Sequence, residues 1–150
     1  MTLAVVSGIL LTLSFPHLGH PLVGWVALVP LLVAVARASS FALALRHGLV
    51  TGLVQFTGVI YWIPRVMSQY GGLSSPLAWA IHLLFVCYLA MFLAAFAAGL
   101  WVLVRRFGVG GVLMAPCVWV ASELGRVYLF TGFPWSLLGY SQTSWLGMAQ

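Results

Sequence analysis

The chain alternates long apolar runs with short segments rich in proline, glycine, serine and arginine. Because a helix needs about 20 apolar residues to cross a bilayer's hydrocarbon, each run is interpreted as a membrane-spanning helix. The pattern predicts five spans, at residues 3–15, 22–36, 41–63, 77–104 and 109–129. A sixth span is predicted to start near residue 145. The predicted fold class is all-α, a polytopic transmembrane helix bundle formed by residues 1–150.

Three segments interrupt this pattern and are not expected to lie in lipid. Residues 16–21 form a tight connection with proline at both ends, and residues 64–76 form a polar stretch after the third span. Residues 131–144 are uncharged but do not resemble a lipid-facing helix. Because a loop in lipid would leave its backbone without hydrogen-bond partners, these segments are expected at a surface or inside protein.

Details within the later spans lead to three further predictions. The 28 residues of the fourth span would measure about 42 Å as a helix, so this helix is expected to tilt or protrude. Pro116 predicts a kink in the fifth span. The glycines Gly48 and Gly52, and the alanines at positions 90, 94 and 98, have the four-residue spacing that permits close helix contact.

Composition supports a membrane environment and excludes other classes of protein. Hydrophobic residues make up 63% of the chain and charged residues 5%, whereas soluble domains carry about 25% charged residues. The mean hydropathy is +1.13. All six basic residues are arginines, and they are scattered rather than clustered along one face. Nucleic-acid binding is therefore not expected.

The arginines also predict an orientation, because cytoplasmic loops retain positive charge. With a cytoplasmic N-terminus, four arginines fall at the inner side and two at the outer side. The inner group is Arg37, Arg46, Arg105 and Arg106, and the outer group is Arg65 and Arg126. This orientation places the three interrupting segments outside.

Glu123 and Arg126 are the clearest candidates for chemistry in the apolar runs. They are three residues apart on a predicted helix, where a carboxylate and a guanidinium can pair. Ionisable groups in a membrane are costly unless they are paired or face a wet cavity. Two interpretations remain open: a pair that only neutralises itself and pins the helix, or a functional site.

The aromatic segment that follows also has two interpretations. Phe133, Trp135 and Tyr140 suit the headgroup layer, so the segment is either an interfacial anchor or one wall of a lipid-facing cleft. In the second case Ser136, Ser141 and Gln142 would supply hydrogen bonds.

Other reactive side chains give no sign of a catalytic or metal site. His17 and His20 lie three apart, but two ligands do not make a metal site. His47 and His82 are expected to be satisfied locally, and both cysteines are interpreted as packing groups. No serine lies in a recognisable nucleophile motif. Neither a cofactor nor a metal is expected.

Three sequence blocks are more specific than the rest of the chain. They read ELGR at 123–126, FTGFPW at 130–135 and LGYSQ at 138–142. With SFP at 14–16 and YWI at 61–63, they resemble the membrane domain of apolipoprotein N-acyltransferase, the bacterial enzyme family that completes lipoprotein acylation.

The resemblance implies a multi-pass domain of the bacterial inner membrane, joined through two further spans to a periplasmic nitrilase-like catalytic domain that is absent from this chain. In that domain a cysteine nucleophile, a glutamate base and a lysine would take an acyl chain from phospholipid. The chain would then pass to the N-terminal amine of the diacylglyceryl-cysteine of an apolipoprotein. No catalytic residue is carried over, so this chain alone is expected to be inactive.

By the same resemblance, eight residues would border the lipid-access side of the active site: Glu123, Arg126, Gly132, Phe133, Pro134, Trp135, Tyr140 and Gln142. A small membrane transporter or channel subunit is the alternative, since it would also explain apolar spans with an embedded Glu123 and Arg126. It does not explain the three sequence blocks together. A structural membrane scaffold would not need the two ionisable groups.

Overall fold

The computed structural model describes residues 1–15, 20–130 and 132–143, and these residues form helices without strands. The all-α fold class is confirmed for this part of the chain. The helices are α1 (Thr2–Leu13), α2 (Pro21–Val26), α3 (Val29–Ala36), α4 (Phe41–Val59), α5 (Ile63–Gln69), α6 (Ser75–Phe107) and α7 (Ala115–Tyr128), with 3₁₀ segments at Gly108–Met114 and Leu138–Gln142.

Helix length supports fewer membrane spans than the sequence pattern predicts. The stretch Ser75–Tyr128 is long and apolar enough to cross a bilayer, with a mean hydropathy of 2.4 in its most apolar window. The pair α4 and α5, bent by 47°, also qualifies if it counts as one span. The helices of Thr2–Leu13 and Pro21–Ala36 are apolar but shorter. Five spans therefore remain a prediction, and the sixth lies outside the described residues.

Prolines lie at the starts of helices, which changes three predicted boundaries. Pro30 occupies the first turn of α3, so the second predicted span is divided into α2 and α3. Pro64 likewise lies in the first turn of α5, so the stretch 64–76, where the pattern predicts a loop, begins with a helix. Pro116 lies at the start of α7, so the predicted kink was wrong. A proline at the first helical position forfeits no hydrogen bond, because its N–H would be unpaired there anyway.

Helix α4 packs closely against α1 and α6. A Cβ added at Gly52 would lie 2.7 Å from the Cα of Ala90, and one at Gly48 would lie 2.7 Å from the Cβ of Ala97. These glycines therefore allow the backbones of α4 and α6 to approach, as the small-residue pattern predicted. Gly48 lies against Ala97, whereas Gly52 lies against Ala90. Residue numbers therefore rise along α4 as they fall along α6, so the two helices are antiparallel.

The up-and-down course of the helices brings the interrupting segments to one end of the bundle. The Gln142 side chain donates to the Pro21 carbonyl, and the rings of Trp62 and Trp135 lie 5.8 Å apart. At the opposite end, Trp101 donates to the carbonyl of Ala38. The described residues of the three segments thus share one end, which the orientation prediction requires.

Much of the helix surface is as apolar as the interior. Leu84 on α6 is 71% exposed and Leu113 before α7 is 82% exposed. Cys87 and Cys117, interpreted above as packing groups, are exposed thiols on this surface. An apolar exterior of this kind is what a lipid environment favours.

Candidate functional site

Residues 132–143, here named the return loop, follow α7 and fold back against it. The N–H of Phe133 donates to the carbonyl of Arg126 at 2.8 Å, which turns the chain at the helix end. Gly132 has a φ of +73°, and a Cβ there would collide with the carbonyl oxygen of Val127. Only glycine fits this reversal without strain or collision.

The Arg126 guanidinium fastens the return loop to α7. Its Nη1 donates to the Trp135 carbonyl at 2.6 Å, and its Nη2 donates to the Ser136 carbonyl at 3.2 Å. The side chain is 3% exposed, and its charge lies 5.3 Å from the centre of the Phe56 ring on α4. Hydrogen bonds from a charged donor are stronger than neutral ones, so this contact is a clamp on the loop backbone.

The Glu123 carboxylate holds a second point of the loop. Its Oε1 accepts the N–H of Leu138 at 2.7 Å, where the 3₁₀ segment Leu138–Gln142 begins. The same oxygen lies 3.8 Å from Nη2 of Arg126, which is an ion pair without a hydrogen bond. The pair therefore balances charge inside the protein while each partner bonds to the loop. This geometry goes beyond simple self-neutralisation.

Gln142 joins the end of the return loop to the start of α2. Its Oε1 accepts from the indole Nε1 of Trp25 at 3.2 Å, and its Nε2 donates to the Pro21 carbonyl at 2.9 Å. A Cβ at Gly24 would lie 2.7 Å from the Oγ of Ser141. Neither Trp25 nor Gly24 could be predicted from the sequence, because a contact across 117 residues leaves no local pattern.

Aromatic side chains cover the first half of the loop. The Phe133 ring packs edge-on against Phe85 of α6 at 5.0 Å and stacks with Trp135 at 6.3 Å. Trp135 is nevertheless 57% exposed, and Pro134 and Tyr140 are exposed as well. The loop therefore has a packed inner side and an aromatic outer side.

An apolar groove lies between α2–α3 and α7, and the return loop closes one end of it. Its volume is about 640 Å³, within the range of about 300–1,000 Å³ that holds small ligands. Glu123, Ser141 and Gln142 contribute polar groups at the loop end. The remaining walls are mainly apolar and include Gly24, Trp25, Leu28, Val29, Leu32, Val112, Leu113, Ala115, Pro116, Trp119 and Val120. The groove therefore combines a polar end with a long apolar slot.

The predicted site residues are thus largely brought together. Glu123, Arg126, Gly132 and Gln142 shape or anchor the return loop, with Phe133 and Trp135 packed above them, while Pro134 and Tyr140 lie on its exposed side.

The histidines lie apart from this site. His20 caps α2 by accepting the N–H of Leu22 at 3.3 Å, and His17 lies outside the described residues. His47 and His82 are buried, and the Nδ1 atom of each lacks a hydrogen-bond partner within the described residues. The expectation of local satisfaction was wrong for these two atoms.

Comparison with known proteins shows which family this chain resembles. Residues 7–150 match the family model described as Apolipoprotein N-acyltransferase N-terminal domain. The chain is 41% identical to an apolipoprotein N-acyltransferase of Geobacter metallireducens, with 99% of this chain and 28% of the relative covered. It is 40% identical to that of Methylococcus capsulatus, with 95% and 28% covered, and 34% identical to that of Pasteurella multocida, with 93% and 26% covered. The chain thus spans about 28% of the length of the first two relatives.

Proposed function

Because the chain belongs to the apolipoprotein N-acyltransferase N-terminal domain family, we propose that it is the membrane-embedded part of such an acyltransferase. The whole enzyme would transfer an acyl chain from phospholipid to the N-terminal amine of the diacylglyceryl-cysteine of an apolipoprotein. The chemical steps would take place in a nitrilase-like domain outside this chain, so these residues alone would be inactive. The domain would lie in the bacterial inner membrane with a cytoplasmic N-terminus.

The groove under the return loop is the observation that carries this proposal. A phospholipid acyl chain must leave the bilayer and hold its ester near the membrane surface to meet a nucleophile there. The apolar walls of the groove suit such a chain, and the polar end at Glu123, Ser141 and Gln142 lies at the same end as the interrupting segments. Positioning of this kind lowers the entropic barrier of a transfer reaction.

The contacts of the ion pair favour this function over a transporter or channel subunit. In a transport path, the charge of Arg126 would face water or the transported solute. Arg126 is instead 3% exposed and does not line the groove, and its guanidinium and the Glu123 carboxylate both bond to the backbone of the return loop. Their role is therefore to hold a lipid-facing segment in place.

The proposal is tested by narrowing the groove in the full-length enzyme. Val120 lines the groove from α7 and is 52% exposed, so tryptophan there would fill the slot without disturbing the interior. Leu84→Trp on the outer face of α6, where the native residue is 71% exposed, is the matched control. We expect Val120→Trp to lower lipoprotein acylation at least about tenfold, while Leu84→Trp retains activity. Equal activity of the two variants would contradict the proposal.

A further inference from the structure

A second cavity lies at the same end of the bundle, between α5 and the first turn of α6. Its volume is about 570 Å³, and it shares no lining residue with the groove. Arg65, Ser68 and Gln69 reach it from α5, and Ser75 reaches it from the start of α6. The cavity is thus lined by one cation and several neutral hydrogen-bonding groups.

The charge of Arg65 has no counter-ion among the side chains of this chain. The sequence contains a single acidic residue, and that residue, Glu123, is paired with Arg126. The Arg65 side chain makes no hydrogen bond or ion pair with any residue that the structure describes. A cation next to lipid is costly without a partner, so the neutralising charge must come from a bound molecule or from solvent.

Two further features of the cavity fit an anion at a membrane surface. Its wall includes Ser75, the first residue of the 33-residue helix α6, whose N-terminal end carries partial positive charge. Tyr61, Trp62 and Trp79 also line the cavity. Tyrosine and tryptophan concentrate at the level of lipid headgroups, where a ring can contact acyl chains and its polar atom can remain hydrated.

We propose that this cavity binds the phosphodiester of a phospholipid headgroup, with Arg65 as the charged ligand and Ser68, Gln69 and Ser75 as hydrogen-bonding groups. An arginine fork matches two phosphate oxygens at once, which gives it an advantage over lysine. The proposal depends on the membrane placement proposed above, but it does not depend on acyl transfer. A lipid bound here would anchor the end of the bundle that carries the return loop, through the contact of Trp62 with Trp135.

The test measures lipid binding directly, by native mass spectrometry of the detergent-solubilised protein titrated with dioleoyl-phosphatidylglycerol. We expect Arg65→Gln to weaken binding of the tightest lipid at least about tenfold, and Arg65→Lys to weaken it less. Ser68→Ala serves as a second, milder variant and is expected to weaken binding in the same direction. Arg37→Gln is the control, because Arg37 is an exposed arginine at the opposite end of the bundle.

Two other probes identify the source of the phosphate. Dioleoylglycerol has the same acyl chains without phosphate, and it should bind equally to the parent protein and to Arg65→Gln. Inorganic phosphate at millimolar concentration should not displace the lipid; if it does, the lipid assignment is overturned. Equal lipid binding by Arg65→Gln and the parent protein, or an equal loss in Arg37→Gln, also overturns the proposal. Acylation by Val120→Trp measures the other proposal independently.

Discussion

Removal of the Arg126 clamp should release the return loop while the bundle remains folded. In Arg126→Met the loop loses two hydrogen bonds from a charged donor, to the carbonyls of Trp135 and Ser136. Each such bond contributes about 1.5–3 kcal/mol, so docking of the loop should weaken by about 3–6 kcal/mol. Glu123, 16% exposed, would also lose its counter-charge, and a buried pair broken on one side costs about 3–5 kcal/mol. The two costs do not add, because both arise from removing the same guanidinium.

Hydrogen exchange followed by mass spectrometry measures this release on peptides that cover residues 132–143. A loss of 3 kcal/mol corresponds to about 100-fold faster exchange of the Leu138 amide, if the loop opens locally. Peptides at the α4–α6 contact should retain their protection, because Gly48 and Gly52 pack there without Arg126.

A control and a second variant make the result specific. Arg105→Met removes a hydrogen bond to the Ala38 carbonyl at the opposite end, so it should leave the loop unchanged. The double variant Glu123→Gln with Arg126→Met should be less destabilised than the sum of the single variants, because no lone charge remains. If exchange in the loop changes less than about threefold in Arg126→Met, the guanidinium does not hold the loop and the reasoning fails.

Two glycine substitutions test the backbone geometry. Gly132→Ala should lower stability by about 1–3 kcal/mol through the positive φ and the collision with Val127, whereas Gly110→Ala, with open space around it, should change the melting temperature little. Gly52→Ala should separate α4 from α6 and lower the melting temperature, whereas Gly99→Ala meets its nearest neighbour at an ordinary 3.4 Å and should be tolerated. Equal melting temperatures within either pair would contradict the role assigned to that glycine.

The sequence predicted the helical class because long apolar runs are a local property of the chain. It also predicted which segments share an end, since antiparallel helices alternate direction along the chain. The sequence blocks around Glu123 and Arg126 identified the return loop, because two ionisable groups in an apolar run are rare. These features depend on composition and spacing, and a single chain displays both.

The boundaries and the groove were harder to predict, for physical reasons. A proline next to an apolar run can either kink one helix or begin another. The residues around Pro116 are compatible with both structures, so the sequence does not distinguish them. The 3₁₀ segment Gly108–Met114 decides the outcome, since it separates α6 from α7. The groove needs Trp25 next to Gln142, and no local pattern predicts a contact between residues so distant in sequence.

A photolabelling experiment can show whether the groove under the clamped return loop holds an acyl chain. The full-length enzyme is incubated with a phospholipid that carries a diazirine near the end of one acyl chain, irradiated and digested. We expect adducts in peptides 24–32 and 112–123, which line the groove, and we expect their loss in Val120→Trp. Adducts confined to the outer face around Leu83 and Leu84, with no effect of Val120→Trp, would contradict this expectation.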